Sequence, residues 1–255
     1  MNIKNHDFII GPVDTDSISF CKPDMTEFTE EERISLLDEL NSIMPEFMLY
    51  ENDGYYSACL AVKAKNYCLL EKGSDTIKYK GSGFKASSKE PALAEFLKKI
   101  VESLIFEIGN YTDIYERYIA EAMDINEISR WCVKKSITKK LLNGTRKNET
   151  KVLDALDIDD LQEGDKVYLY NAIDGEVQDS AKGELVFYKD GRPKMIPNKV
   201  LKLSEEFDGN YNYIHYVKRV YDTISILKSV IDMDKITKYH LSKFQPLLDK
   251  YKKRI

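Results

Sequence analysis

Histidine and cysteine are scarce in this chain, three and four respectively in 255 residues. Cys21, Cys59, Cys68 and Cys132 never fall at CxxC spacing, and His6, His215 and His240 are scattered. That pattern argues against a zinc-ligand cluster or a disulfide framework and fits a reducing, cytoplasmic setting. Long apolar runs are also missing: no window approaches the ~20 apolar residues that a membrane-spanning helix requires. Residues Met1 to Asp7 lack the apolar stretch of a secretion signal, so neither membrane nor export is expected. Hydrophobic residues make up 43% and charged residues 32% of the chain, the balance of a folded protein with room for one large domain or two smaller ones.

A net charge of -5 speaks superficially against a nucleic-acid partner, but the charges are unevenly distributed. Between Asp24 and Asp53 Arg33 is the lone basic residue among many acids. From Arg130 to Lys151 the pattern inverts, with Arg130, Lys134, Lys135, Lys139, Lys140, Arg146, Lys147 and Lys151 facing only Glu149. Salt screens surface charge over ~8 Å, so a basic face can bind phosphates on a molecule that is acidic as a whole. Such a run is equally the ordinary composition of a solvated helix face.

The most informative stretch is Asp14-Thr15-Asp16-Ser17, set between the apolar runs Phe8-Ile9-Ile10 and Ile18-Ser19-Phe20. It reads as two short strands meeting at a turn that presents two carboxylates. Carboxylates held this close repel unless a hard divalent cation neutralises them. Two magnesium ions so placed are the usual machinery of in-line phosphoryl transfer. The same triplet occurs in solvated turns and in metal-dependent glycosyl transfer, so alone it leaves three readings open.

Downstream, Thr29-Glu30-Glu31-Glu32 is a capping box, predicting a helix to about Met44 that buries Ile34, Leu37, Leu40 and Ile43 or Met44. Strands are expected at 60–62, 67–70 and 76–80, with turns at Gly73 and Gly81 to Gly83. Ser87-Ser88 and Pro91 should open a helix whose stripe runs from Leu93 through Phe96, Leu97, Ile100, Val101, Leu104 and Ile105 to Ile108. A second helix passes through Tyr115, Tyr118, Ile119 and Met123 towards Trp131. Val167 to Tyr170 and Leu185 to Tyr188 suggest a β ribbon, helical spacing returns from about Tyr213 to Ile231, and Pro246 interrupts a last short helix. The division between two parts is expected near Gly83 to Pro91.

Three further groups follow the carboxylate turn in order. Lys63-Ala64-Lys65-Asn66-Tyr67 precedes a buried strand, where lysine reaches phosphates or minor-groove acceptors and tyrosine packs on a sugar. Lys78-Tyr79-Lys80-Gly81 and Gly83-Phe84-Lys85-Ala86-Ser87-Ser88 bring cations and hydroxyls to a helix start, where free amides also favour phosphate. The basic run from Arg130 comes third. Taken together, the chain resembles the C-terminal portion of family-B DNA polymerases, bacteriophage ones especially. Asp14 to Ser17 is similar to the palm motif DTDS, Lys65-Asn66-Tyr67 to the end of the KKRY motif, Lys78 to Gly81 to the KxKG that follows, and Ser87-Ser88 before Pro91 to the entry of the thumb. The departures are Ala64 and Asn66 within the KKRY-like stretch, and Pro12 and Val13 where tyrosine and glycine often precede DTDS.

The resemblance implies an α+β fold: the C-terminal half of a palm over residues 1–88, with a small mixed or antiparallel sheet, then a mainly helical thumb over 89–255 carrying a β-ribbon insertion. It implies DNA-directed nucleotidyl transfer through a two-magnesium site, with Asp16 as the principal ligand and Asp14 contributing charge. Lys63, Lys65, Tyr67, Lys80, Lys85, Lys134, Lys135, Lys139, Lys140, Arg146 and Lys147 would hold the primer-template duplex. The family's other palm aspartate, in DxxSLYPS, and its Lys-x3-Asn-x-x-Tyr-Gly fingers motif precede DTDS and do not occur here. The chain alone is therefore expected to be inactive: a split or truncated polymerase, completed by a second chain that brings motif A and the fingers for the incoming dNTP, in viral replication within a host cytoplasm. The alternatives are a non-catalytic duplex-binding subunit with vestigial aspartates and, more distantly, a metal-dependent glycosyltransferase.

Overall fold

Two runs of β-forming residues, Ile9–Val13 (β1) and Ile18–Cys21 (β2), pair antiparallel with Ile9 opposite Cys21 and Ile10 opposite Phe20 in the computed structural model, which describes residues 7–85, 90–143, 161–172 and 200–236. The register shifts between Ile10 and Val13, so that Val13 rather than Pro12 faces Ile18. The one-residue bulge falls on Gly11-Pro12, because proline cannot donate to the ladder. Phe8 stacks on Phe20 at 5.2 Å, and Phe28 meets both rings edge-on, supporting the hairpin.

The chain divides into two compact units, residues 1–85 and 86–255. In the first, the capping box is formed: the Thr29 hydroxyl accepts from the Glu32 amide at 3.2 Å and the Glu32 carboxylate from the Thr29 amide at 2.8 Å. It opens helix α1, Glu30–Ser42. The expected apolar face is largely uncovered, however. Only Leu40 is buried, while Ile34 is 56% and Ile43 52% exposed. The acid-rich helix has little apolar area to contribute, and among the described residues of this unit nothing covers those two positions. Strands β3 (Tyr56–Lys63), β4 (Asn66–Glu71) and β5 (Ile77–Lys80) form an antiparallel meander in that order. Central β4 is the buried one, from Asn66 to Leu69. A single helical turn, α2 (Ser82–Lys85), follows.

In the second unit α3 (Pro91–Ile105) starts at the proline, whose missing amide costs nothing there. Its stripe of Leu93, Phe96, Leu97, Ile100 and Val101 is buried as expected, but the helix ends before Ile108, which is 63% exposed. Asn110 caps α4 (Tyr111–Met123), and α6 (Tyr213–Ile224) packs against both helices through Tyr216, Val217 and Val220. The expected helix to Ile231 is shorter: a 3-10 turn at Ser225–Leu227 succeeds α6. Glu90, 1% exposed, takes two bonds from Arg219, 3.0 Å from Nε and 2.7 Å from Nη2, tying the start of α3 to α6.

The β structure of this unit includes the strand expected at Val167 to Tyr170. Val133–Ser136 (β6), Lys166–Ala172 (β7) and Val200–Leu203 (β8) form an antiparallel sheet in that order. Residues 185–188, the expected partner of β7, lie outside the described residues, as do the short helix around Pro246 and Ser87-Ser88. Within the basic segment Lys134 and Lys135 lie on a strand rather than on the alternative of a solvated helix face, and one helical turn at Lys139–Leu142 (α5) follows. Val133 and the strand-favouring neighbours of the lysines override the charge pattern, which carries no period of its own. The whole is the expected α+β class, small antiparallel sheets with several helices. Among the described residues no helix is long and apolar enough to cross a membrane.

Candidate functional site

Asp14 to Ser17 form the loop between β1 and β2, closed by the Asp14 amide donating to the Ser17 carbonyl at 2.9 Å. Asp14 Oδ1 accepts from the Thr15 amide at 2.8 Å and lies 3.2 Å from Lys65 Nζ. The Thr15 amide first, and then the Lys65 ammonium, hold the Asp14 carboxyl below its ordinary range. Asp16 is exposed at the tip. Two motifs far apart in the chain therefore meet at one carboxylate.

Lys65 reaches Asp14 from a tight turn. Ala64 and Lys65 link β3 to β4, and Lys65 adopts a left-handed φ of 59°, a conformation costing an L-residue about 1–2 kcal/mol. Its neighbours hold it there. Asn66, 6% exposed, donates through Nδ2 to the Ala64 carbonyl at 3.1 Å and accepts at Oδ1 from the Gly83 amide at 2.9 Å. Gly81, with φ 97°, lies directly on this turn: a Cβ there would stand 2.1 Å from the Lys65 carbonyl oxygen and 2.6 Å from Asn66 Oδ1. The glycine of Lys78-Tyr79-Lys80-Gly81 is thus what lets the two lysine motifs close on each other.

Tyr67 is 9% exposed, and burial, followed by the Asp14 charge, pushes its phenol above the usual range. It pairs across the sheet with Lys80, which is exposed, as is Lys63 opposite Asn66. Lys78 is differently occupied, 3.4 Å from the Tyr56 hydroxyl and 3.4 Å from a Glu71 carboxylate oxygen. Of Lys85 only the backbone, at the end of α2, is described.

The remaining expected cations belong to the second unit. Lys134 lies opposite Tyr168 and Lys135 opposite Val167, on successive and therefore opposite faces of β6. Lys139 and Lys140 are exposed on the α5 turn. Arg130 is engaged by Glu121 at 2.5 Å and Glu95 at 2.8 Å, which removes it from any phosphate-binding set. Arg146 and Lys147 lie outside the described residues.

Sequence reasoning passed over Asn66 and Gly81 as positioning residues. The available signal was a glycine at the end of a strand and an asparagine beside a two-residue turn, both types suited to left-handed or side-chain-braced backbone. It also passed over Lys166, Tyr168 and Lys202, for which the signal was period-two spacing.

Two carboxylates fit part of a hard-cation site, since magnesium prefers octahedral oxygen coordination and keeps several waters alongside one or two carboxylates. Among the described residues no cluster of three or more acid, histidine or cysteine side chains could complete a metal site. The donor set is therefore compatible with one half of a two-ion arrangement.

No protein-family model and no curated protein matches this sequence. Among solved structures the chain is similar to the family B DNA polymerase from the hyperthermophilic archaeon Pyrobaculum calidifontis, with a TM-score of 0.55 and 14% identity. The match covers 90% of this chain and 28% of that polymerase. At that identity the likeness is one of fold.

Proposed function

We propose that this chain is the part of a family-B-type DNA polymerase that supplies the palm carboxylates of the DTDS motif and the grip on the primer-template duplex. The observation that carries the reading is the 3.2 Å pairing of Lys65 with Asp14, which puts the KKRY-like turn beside the DTDS-like loop. In a solvated turn, or in a nucleotide-sugar site, nothing requires those two segments to converge.

In this reading Asp16 and Asp14 hold magnesium, which when bound stabilises the attacking and leaving oxygens of nucleotidyl transfer. Lys65 offers its ammonium to the primer-terminal phosphate or to groove acceptors, exchanging Asp14 for the nucleic acid. Lys63, Lys80 and Lys85 add to the cationic set, and Tyr67, buried in β4, feels the Asp14 charge. Lys134, Lys139 and Lys140, with Arg146 and Lys147, hold the duplex by phosphate contacts that carry no sequence information. Lys135 joins them from the other face of β6.

The further carboxylate and the fingers lie outside these 255 residues, and in this reading a second chain brings them. The β1–β2 hairpin supports such a partner: Ile9, Ile10 and Val13 are 44%, 45% and 54% exposed, and a two-stranded sheet leaves edges open to pairing. The test is magnesium-dependent primer extension by the purified chain mixed with a chain bearing the Lys-x3-Asn-x-x-Tyr-Gly fingers motif. The mixture should extend and Asp16→Ala should abolish extension. Unchanged extension by Asp16→Ala refutes the assignment, and salt-dependent duplex binding without any incorporation favours a non-catalytic DNA-binding subunit.

A further inference from the structure

The sheet of the second unit presents a surface of which the duplex grip uses only Lys134. Residues directly opposite across an antiparallel pair share a face, and alternate residues along a strand return to it. Lys134 faces Tyr168, Ser136 faces Lys166, and Lys202 faces Tyr170. Lys134, Ser136, Lys166, Tyr168, Tyr170 and Lys202 therefore occupy one face of β6-β7-β8. Tyr170 is buried, sealed edge-on by Phe207 at 5.4 Å, so the exposed end of this face is Lys134, Ser136, Lys166 and Tyr168.

Two properties set this face apart. Tyr168 is 41% exposed, whereas Tyr115, Tyr118, Tyr170 and Tyr216 of the same unit are all buried. Its cations also lack an acidic partner among the described residues. Lys99, Arg130, Lys218, Arg219 and Lys235 each lie within 4 Å of a carboxylate. Among the described residues none pairs with Lys134, Lys166 or Lys202. Lys166 is instead steadied by donating to the Ser136 hydroxyl at 2.8 Å. An open aromatic ring on a stiff strand, between lysines that no described carboxylate neutralises, suits a ligand with both phosphates and flat apolar faces. Unpaired bases offer those faces; in a duplex they are stacked away from the protein.

We propose that this sheet face binds single-stranded DNA, with a base stacked on Tyr168 and flanking phosphates on Lys134, Lys166 and Lys202. The inference stands on the register and charge of the sheet and needs neither Asp14 nor Asp16. It rests on the polymerase reading only in naming DNA rather than RNA.

The experiment is fluorescence anisotropy of labelled dT20 with the full chain, using duplex DNA and rU20 as competitors and far-UV circular dichroism to verify folding. Tyr168→Ala should weaken dT20 binding by about 5- to 150-fold, the range for loss of one base–aromatic stack, while Tyr168→Phe retains it. Lys166→Gln and Lys202→Gln should each reduce the slope of log affinity against log salt by about 0.7, and Lys98→Gln, on the exposed side of α3, should not. The proposal is overturned if folded Tyr168→Ala binds dT20 as the wild type does, or if Lys98→Gln lowers the slope as much as Lys166→Gln. Duplex that competes equally and shows the same Tyr168 dependence also overturns it, in favour of duplex contact. Preference for rU20 over dT20 keeps the single-strand platform but overturns the choice of DNA. Loss of primer extension in the partner assay with dT20 binding intact counts against the polymerase reading alone.

Discussion

A methyl group at position 81 would have nowhere to go. In Gly81→Ala the new carbon would stand 2.1 Å from the Lys65 carbonyl oxygen and 2.6 Å from the Asn66 side-chain oxygen, at a φ of 97° that alanine rarely adopts. The first neighbour is backbone and cannot swing aside, so the 64–66 turn and the end of β5 must separate. Holding a non-glycine residue in such a conformation costs about 1–3 kcal/mol. Asn66 stands to lose its bonds to the Ala64 carbonyl and the Gly83 amide, at about 0.5–1.5 kcal/mol each. The sum, about 2–6 kcal/mol, is a large share of the 5–15 kcal/mol that stabilises a typical domain.

Native-state amide exchange reads this locally, without requiring the two units to unfold together. Amides of β4 and β5 should exchange at least about 30-fold faster in Gly81→Ala, the lower end of that range at 1.4 kcal/mol per decade. Those of α3 and α6 should be unaffected. Asn66→Ala should produce a similar pattern, and the double variant should cost less than the sum, because both changes release the same turn. Unaltered β4–β5 protection in Gly81→Ala, or full additivity with Asn66→Ala, would refute the claim that Gly81 and Asn66 together fix Lys65 beside Asp14.

Two other expectations come from the ion pairs. Lys65→Met should raise the Asp14 carboxyl only part of the way to its ordinary value in a carboxyl NMR titration, because the Thr15 amide, the larger cause, remains. Since the folded value is the depressed one, any stabilisation from Asp14 is present above its unfolded pKa of about 3.8 and lost as pH falls through the folded value; a Lys65→Met titration identical to the wild type contradicts the pairing. Arg219→Met should destabilise the second unit by about 3–5 kcal/mol in urea unfolding, because it strands Glu90, 1% exposed, without its partner; a loss under about 1 kcal/mol would mean that water reaches Glu90.

How far the sequence discloses this structure depends on whether the deciding contacts are local. The capping box of α1 is local, and Thr29 and Glu32 bond as their spacing requires. The stripe of α3 is local too, and its buried residues follow the helical period. The β1–β2 turn can be read from two apolar runs, and Pro12 even marks where the bulge falls. What fails is non-local. Ile34 and Ile43 satisfy a helical period, but period states only which residues share a side, never whether anything covers it. Lys134 and Lys135 look alike as charges, yet the pairing of β6 with β7 sends them to opposite faces, and no local signal announces a partner so distant in sequence. The candidate site shows the same limit at the scale of single atoms. Asp14 and Lys65 are each conspicuous, but their pairing depends on a carbonyl that leaves no room for a side chain at position 81. Asn66 stands where the KKRY motif that this stretch resembles has arginine, and its amide spans Ala64 and Gly83, so that position braces the turn.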